Sequence, residues 1–82
     1  MFQKDDLVIM TEYGILKLIM RSNPHYKKLK STLFKVTSHY NRDKIEVERM
    51  NGNRFPALLP VDYFRFATPK EIKLQTIKKI FI

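Results

Sequence analysis

Basic side chains interleaved with aromatic ones are the residues whose types and spacing point most clearly to a chemistry. One stretch runs from His25 to Lys30 as His-Tyr-Lys-Lys-Leu-Lys, and a second set comprises Lys35, His39, Tyr40 and Arg42. Lys and Arg neutralise phosphates and release counterions, and a tyrosine ring can stack on an unpaired base. This pattern is typical of a surface that binds nucleic acid.

The distribution of charge favours the same interpretation. The 82-residue chain carries 16 Lys and Arg against 8 Asp and Glu, a net charge of +8. Residues 21–44 hold seven of these basic side chains against Asp43 alone, so six of the eight net charges lie in this segment. A concentrated positive field attracts nucleic acid, an anionic membrane or an acidic protein surface. The alternative interpretation is that the charge serves only solubility.

We predict that residues 21–32 and the outward face of strand 33–40 form one continuous positive surface, because the two segments are adjacent in sequence. Tyr26 is expected either to stack on a base or to cover an open end of the core. No helix with an Arg/Asn face is evident, so largely sequence-independent binding of DNA or RNA is predicted. The predicted binding residues are Arg21, His25, Tyr26, Lys27, Lys28, Lys30, Lys35, Arg42 and Lys44.

Catalytic and metal-binding patterns are weak in this sequence. The histidines are His25 and His39; Asp43 follows His39 closely, but no nucleophile is marked beside this pair. Two histidines fourteen residues apart, without cysteine, match no common metal-ligand spacing. With Gly14 and Gly52 as the only glycines, a glycine-rich phosphate loop is excluded. The sequence therefore predicts a non-enzymatic chain that needs neither metal nor cofactor.

The elements that position these residues are short and separated by turns, which predicts a mainly β domain. Ile15–Met20 is interpreted as an extended segment whose side chains alternate between two faces. Lys17 is expected to face solvent, and Leu16, Leu18 and Met20 are expected to face the core. Residues 21–32 are interpreted as a long basic loop that turns at Asn23-Pro24. The five predicted strands are Leu7–Thr11, Leu33–Tyr40, Lys44–Met50, Asn53–Leu59 and Arg65–Ala67.

Turn and cap residues set the connections in the second half of the chain. Asn51-Gly52 predicts a hairpin, and Pro56 within the strand after this turn predicts that the strand lies at an edge of the sheet or ends early. Pro60–Phe64 is interpreted as a single helical turn. Thr68 as N-cap, with Pro69 and Glu71 after it, predicts a C-terminal helix over about residues 69–79. Its apolar face comprises Leu74, Ile77, Ile80 and Phe81.

This order of elements resembles the SH3-like small barrels, including the KOW-type and Tudor-like modules. The resemblance rests on the entry into the first strand at Asp6–Met10, the Asn51-Gly52 hairpin and the stretch Leu59–Ala67. It covers about residues 5–67 and implies a five-stranded barrel with a 3₁₀ turn before the last strand. The size and charge also look like those of small accessory proteins of bacteriophages.

The resemblance implies two further functions. SH3-like barrels often bind proteins through an aromatic groove, which Tyr13 and Tyr63 would line here. Phe64 and Phe66 could also line it, but we expect them to be core residues. In that case the chain is an adaptor or inhibitor that docks on an acidic surface of a larger transcription or replication complex. Some small RNases also use this fold, and they would recruit Arg21, His25 or Arg54.

Length and composition set the remaining expectations. A chain of 82 residues has room for one core, so a single domain over residues 1–82 is predicted. The N-terminal segment has acids where a signal peptide carries positive charge, and no apolar run approaches the ~20 residues of a membrane span. Together with the lack of cysteine, these features predict a cytoplasmic protein without a membrane partner.

Overall fold

The computed structural model describes residues 2–39, 41–50 and 57–74. Five strands form one sheet, and two short helices lie between the first and second strands. The chain is therefore mainly β, as predicted. The elements in chain order are β1 (Leu7–Met10), α1 (Glu12–Leu18), α2 (Tyr26–Lys30), β2 (Leu33–His39), β3 (Lys44–Arg49), β4 (Ala57–Pro60), a 3₁₀ turn (Val61–Tyr63), β5 (Phe64–Phe66) and α3, which is helical over residues 69–74.

The sheet is open, so the predicted closed barrel is wrong. Its strand order is β4-β3-β2-β1-β5, and every neighbouring pair is antiparallel. Within residues 2–39, 41–50 and 57–74, no ladder joins β4 to β5, which would close the sheet. The physical reason is that α1 and α2 cover the apolar face, so the sheet need not curl on itself to bury it.

Ile15–Met20, predicted as an alternating extended segment, lies largely within helix α1. The local cause is a helix cap: the backbone N–H of Gly14 donates to Oγ1 of Thr11 at 3.0 Å. The helical period buries Ile15 and turns Leu16 and Leu18 outward, and Met20, two residues beyond the end of α1, is exposed as well. Leu16, Leu18 and Met20 are 40%, 47% and 75% exposed.

Residues 21–32 are not one long loop, because helix α2 occupies Tyr26–Lys30. The predicted turn at Asn23-Pro24 is confirmed, and it precedes the helix. There Oδ1 of Asn23 accepts from the backbone N–H of His25 at 2.9 Å, and its carbonyl accepts from Tyr26 N–H at 3.0 Å. Tyr26 is buried and Leu29 half-buried, so one side of α2 faces the core while its lysines face solvent.

The core lies between one face of the sheet and the two helices. In β3 the predicted alternation is confirmed: Ile45 and Val47 have no exposed surface, while Glu46 and Glu48 point away from the core. In β2 it holds as far as Val36, but a register shift between Val36 and Ser38 places His39 opposite Ile45, and Tyr40 lies outside the described residues. The buried residues of this cluster are Val8, Met10, Ile15, Tyr26, Phe34, Val36, Ile45, Val47 and Phe64.

The predicted elements of the second half are confirmed where the structure describes them. Strands β3 and β4 pair antiparallel with Lys44 opposite Pro60, and β4 is an edge strand. The Asn51-Gly52 turn and Pro56 lie outside the described residues, as does the predicted helix beyond residue 74. The cap of α3 is as predicted: Glu71 N–H donates to Thr68 Oγ1 at 3.2 Å, and Thr68 N–H donates to Glu71 Oε1 at 2.8 Å.

Candidate anion-binding surface

Helix α2 presents three lysines to solvent. Lys27, Lys28 and Lys30 are all exposed, since the five-residue helix directs Tyr26 and Leu29 toward the core. Among the described residues, no carboxylate lies within ion-pair distance of their ammonium groups. Three such charges on a single helix are free to bind an external anion.

Tyr26 belongs to the core rather than to the solvent-facing surface. It is buried, and its hydroxyl donates to Oε1 of Glu12 at 3.1 Å. The ammonium of Lys30 lies 5.6 Å from the centre of the Tyr26 ring, within the range of a cation–π contact. Of the two predicted roles for Tyr26, covering the core is therefore the one that the geometry fits, and its ring is not available to stack on a base.

Arg21 and His25 lie beside the α2 lysines. The Arg21 guanidinium forms an ion pair with Glu12, the same carboxylate that accepts from Tyr26, so its charge is partly compensated. His25 occupies the position before the first residue of α2 and is exposed. We refer to the residues Arg21, His25, Lys27, Lys28 and Lys30 as the α2 cluster.

Lys35 lies apart from this cluster. It pairs across the sheet with Leu7, and strand alternation places its side chain on the face opposite Phe34 and Val36. Its ammonium lies 3.9 Å from Oδ1 of Asp5, at the limit of an ion pair. The sheet therefore separates Lys35 from the α2 cluster, which lies on the helical side.

Arg42 and Lys44 lie at the far end of the sheet. Both are exposed beside the β2–β3 connection, where Oδ1 of Asn41 accepts from the backbone N–H groups of Asp43 and Lys44 at 2.8 and 3.0 Å. Strand β2 carries the chain roughly 20 Å from the end of α2 to this connection. The sequence-predicted residues thus form two groups, the α2 cluster and a hairpin cluster of Arg42 and Lys44, rather than one continuous surface.

The two histidines are not brought together. His39 Nε2 hydrogen-bonds with the carbonyl oxygen of Phe2 at the end of β2, while His25 directly precedes α2. In the part of the chain that the structure describes, no three His, Asp or Glu side chains are grouped as metal ligands.

The predicted aromatic groove is only partly assembled. Tyr13 and Tyr63 form an edge-to-face contact with ring centres 6.0 Å apart, and Tyr13 is largely exposed. Phe64 is buried against Phe34, as expected for a core residue. Phe66, in contrast, is half exposed and packs on Phe2 rather than in the core.

Comparisons with known proteins identify no relative of this chain. No family model, curated protein or solved structure matches the chain. Over the residues that the structure describes, none of the helices has the length and apolar character needed to cross a membrane. The chemistry of the surface itself therefore carries the functional inference.

An exposed apolar side of α1 was missed at the sequence level. Tyr13 and Leu16 follow the helical spacing i, i+3 on α1 and are 56% and 40% exposed, and Met20, two residues beyond the end of the helix, is 75% exposed. Lys17 lies among them, with its ammonium 5.2 Å from the centre of the Tyr13 ring. The sequence contains this helical spacing, but interpreting the segment as an extended strand assigned Leu16 and Met20 to the core.

Proposed function

We propose that this chain is a non-enzymatic, largely sequence-independent nucleic-acid-binding domain whose contact surface is the α2 cluster. The observation that carries the proposal is the exposure of Lys27, Lys28 and Lys30 on one short helix, without a carboxylate partner among the described residues. Phosphates spaced along a strand would replace solvent around these ammonium groups and release condensed counterions.

The geometry favours backbone contact over base readout. Helix α2 has five residues and is about 7.5 Å long, which is short for a helix that reads base edges in the major groove. Its exposed donors are lysines, which act as point charges toward phosphate and lack the planar fork with which Arg recognises guanine. Affinity should therefore depend on charge and vary little with sequence.

The size of the cluster sets the expected salt dependence. Three lysines, with a contribution from His25, give about three to four phosphate contacts. The slope of log affinity against log salt should then be about −3 on double-stranded DNA. A continuous surface that also included Lys35, Arg42 and Lys44 would give a steeper slope, so the slope distinguishes the two arrangements.

Fluorescence anisotropy with labelled single- and double-stranded oligonucleotides tests this proposal. The double variant Lys27→Glu, Lys28→Glu should weaken binding at least tenfold, because two attractive contacts become repulsive. It should leave the melting temperature almost unchanged, since both side chains are exposed. Micromolar or tighter binding near physiological salt is expected for the unmodified chain.

The matched control is Lys70→Glu, Lys73→Glu on α3, which makes the same change in net charge at exposed positions outside the α2 cluster. Its affinity should stay within about threefold of the unmodified chain at physiological salt. Equal losses in the two double variants would show that only net charge matters. Unchanged binding by the Lys27, Lys28 variant would refute the site.

A second candidate function, docking on an acidic protein surface, is supported by the exposed side of α1. Tyr13, Leu16 and Met20 present apolar area that nothing in the described residues covers, and Lys17 adds positive charge among them. An acidic partner with apolar anchors would match both properties. The expected occupant is therefore a carboxylate-rich surface, consistent with the net charge of +8.

This candidate is distinguished from nucleic-acid binding by which substitutions matter. Tyr13→Ala with Leu16→Ala should abolish protein docking and leave oligonucleotide affinity unchanged, whereas Lys27→Glu with Lys28→Glu should do the reverse. A site-specific photo-crosslinker at position 16 measures docking in cells, with a crosslinker at position 70 as the control. The same adducts from both positions would count against the α1 surface.

We also propose a relationship between this fold and the SH3-like barrels. Strand order and the 3₁₀ turn before β5 support kinship with the SH3-like barrels, while the open sheet counts against it. A nucleic-acid-binding role would fit the cytoplasm as the place of action. It would equally suit an accessory protein of a bacteriophage.

A further inference from the structure

An apolar pocket opens between the two helices and the core face of the sheet. Its volume is about 410 Å³, within the range of pockets that hold small molecules. Elements α1, α2, β1, β2, β3 and β4 each contribute to its wall. The lining residues are Met10, Leu18, Leu29, Phe34, Arg49, Ala57 and Leu59.

Arg49 is the one charged residue in this lining, and its side chain is exposed to solvent. Strand alternation places it on the same face as Ile45 and Val47, both of which are fully buried. It pairs across the sheet with Phe34, a core residue. Within the described parts of the chain, no carboxylate lies at ion-pair distance from the guanidinium.

The pocket also leaves apolar surface in contact with water. Leu18 lines it and is 47% exposed, although the neighbouring walls include the buried residues Met10 and Phe34. Covering such a surface with an apolar group is favourable by roughly 25 cal/mol per Å². A ligand that fits this pocket therefore carries an apolar body.

The head group of the ligand follows from Arg49. A guanidinium presents a planar set of donors that matches a carboxylate in a bidentate arrangement. A nucleic-acid phosphate would not suit the same site, because it brings a hydrophilic sugar and no apolar chain into the pocket. The pocket is also separate from the α2 lysines, which face solvent.

We propose that this pocket binds a small anionic amphiphile of the alkyl carboxylate type, with the chain against Met10, Leu29 and Phe34 and the carboxylate at Arg49. The proposal does not depend on nucleic-acid binding, since it involves different residues and a different chemical class. Loss of either activity would leave the other intact.

The experiment is titration of the ¹⁵N-labelled chain with decanoate and, separately, with decanol, followed by chemical-shift changes. Both probes should perturb the amides around the pocket-lining residues and saturate. Decanoate should bind about threefold to fivefold more tightly than decanol, the gain expected for an exposed ion pair. Arg49→Gln should remove that difference and leave decanol binding unchanged.

Two further variants make the outcome decisive. Arg42→Gln removes the same charge from the β2–β3 connection, at the opposite end of β3 and outside the pocket lining, so the preference for decanoate should persist. Ala57→Phe should fill the pocket and weaken both probes. Perturbations spread over the exposed lysines, or a preference for decanoate that survives Arg49→Gln, would overturn the proposal.

Discussion

At the scale of single residues, Glu12 connects the fold to the binding surface. Its carboxylate accepts from the Tyr26 hydroxyl and forms an ion pair with Arg21, so one side chain joins α1, α2 and the segment between them. The same ion pair withholds Arg21 from external anions. The Glu12 carboxylate therefore both stabilises the packing of Tyr26 and limits the anion binding of Arg21.

Glu12→Gln is expected to strengthen oligonucleotide binding, because it frees Arg21 while keeping an acceptor for the Tyr26 hydroxyl. The salt slope should become steeper by about one contact, and stability should fall by no more than about 1 kcal/mol. Anisotropy titrations and urea denaturation measure the two effects. Glu48→Gln makes the same change in charge away from the cluster, and equal gains in affinity would argue against a specific release of Arg21.

At the scale of elements, the contact of α1 with the 3₁₀ turn depends on Gly14. A Cβ atom added there would lie 2.5 Å from the carbonyl oxygen of Tyr63 and 2.6 Å from its Cα atom. Thr11 reinforces the contact, since its backbone N–H donates to the same carbonyl at 2.8 Å. Backbone atoms cannot yield as a flexible side chain can, so the glycine is required by this close approach.

Gly14→Ala should therefore destabilise the chain by about 2 kcal/mol or more, although alanine is the better helix former by about 1 kcal/mol. Thermal and urea denaturation measure the change. Leu16→Ala on the exposed side of the same helix is the control, with an effect within about 0.5 kcal/mol. A stabilising Gly14→Ala would show that α1 does not pack on the turn in this way.

The cap of α3 should make stability depend on pH. Bidentate hydrogen bonds from Arg65, at 2.9 Å each, lower the pKa of Glu71 from its ordinary value near 4.5 to about 2, and the Thr68 N–H adds to this effect. A carboxyl group whose pKa is lower in the folded state than in the unfolded state stabilises the folded state at pH values above its unfolded pKa. That contribution is lost as the pH falls from about 4.5 toward 2.

Glu71→Gln should consequently lower stability by about 1 kcal/mol at pH 7, and the deficit should vanish near pH 2. Melting temperatures of the two proteins across this pH range measure it, because the other carboxyls titrate equally in both. A deficit that stayed constant down to pH 2 would mean that the carboxylate charge of Glu71 is not involved.

At the scale of the whole molecule, exposed positive charge is spread over several elements, and helix α2 is where three lysines share one short element. The net charge of +8 produces a long-range attraction to any polyanion. At physiological ionic strength the Debye length is about 8 Å, so exposed charges farther than this from a phosphate are largely screened. Comparisons between the α2 and α3 double variants are for that reason meaningful near physiological salt, and much less so at low salt.

Much of the architecture could be predicted from the sequence because the relevant rules act over a few residues. Alternation of Ile45 and Val47 with Glu46 and Glu48 determined strand β3, and Thr68 with Glu71 determined the start of α3. The sequence also determined the excess of positive charge in residues 21–44. These features need no knowledge of what packs against them.

The tertiary structure decided between the two conformations that the local pattern allows for Ile15–Met20. Ile15–Met20 fits a period of two as well as a helical one, and the contact of Gly14 with the 3₁₀ turn, more than forty residues away in sequence, selects the helix. Once α1 and α2 cover the apolar face, the sheet stays open. The basic residues are then divided between two ends and two faces of the sheet, because strand length and side-chain direction, rather than proximity in sequence, determine which charges lie together.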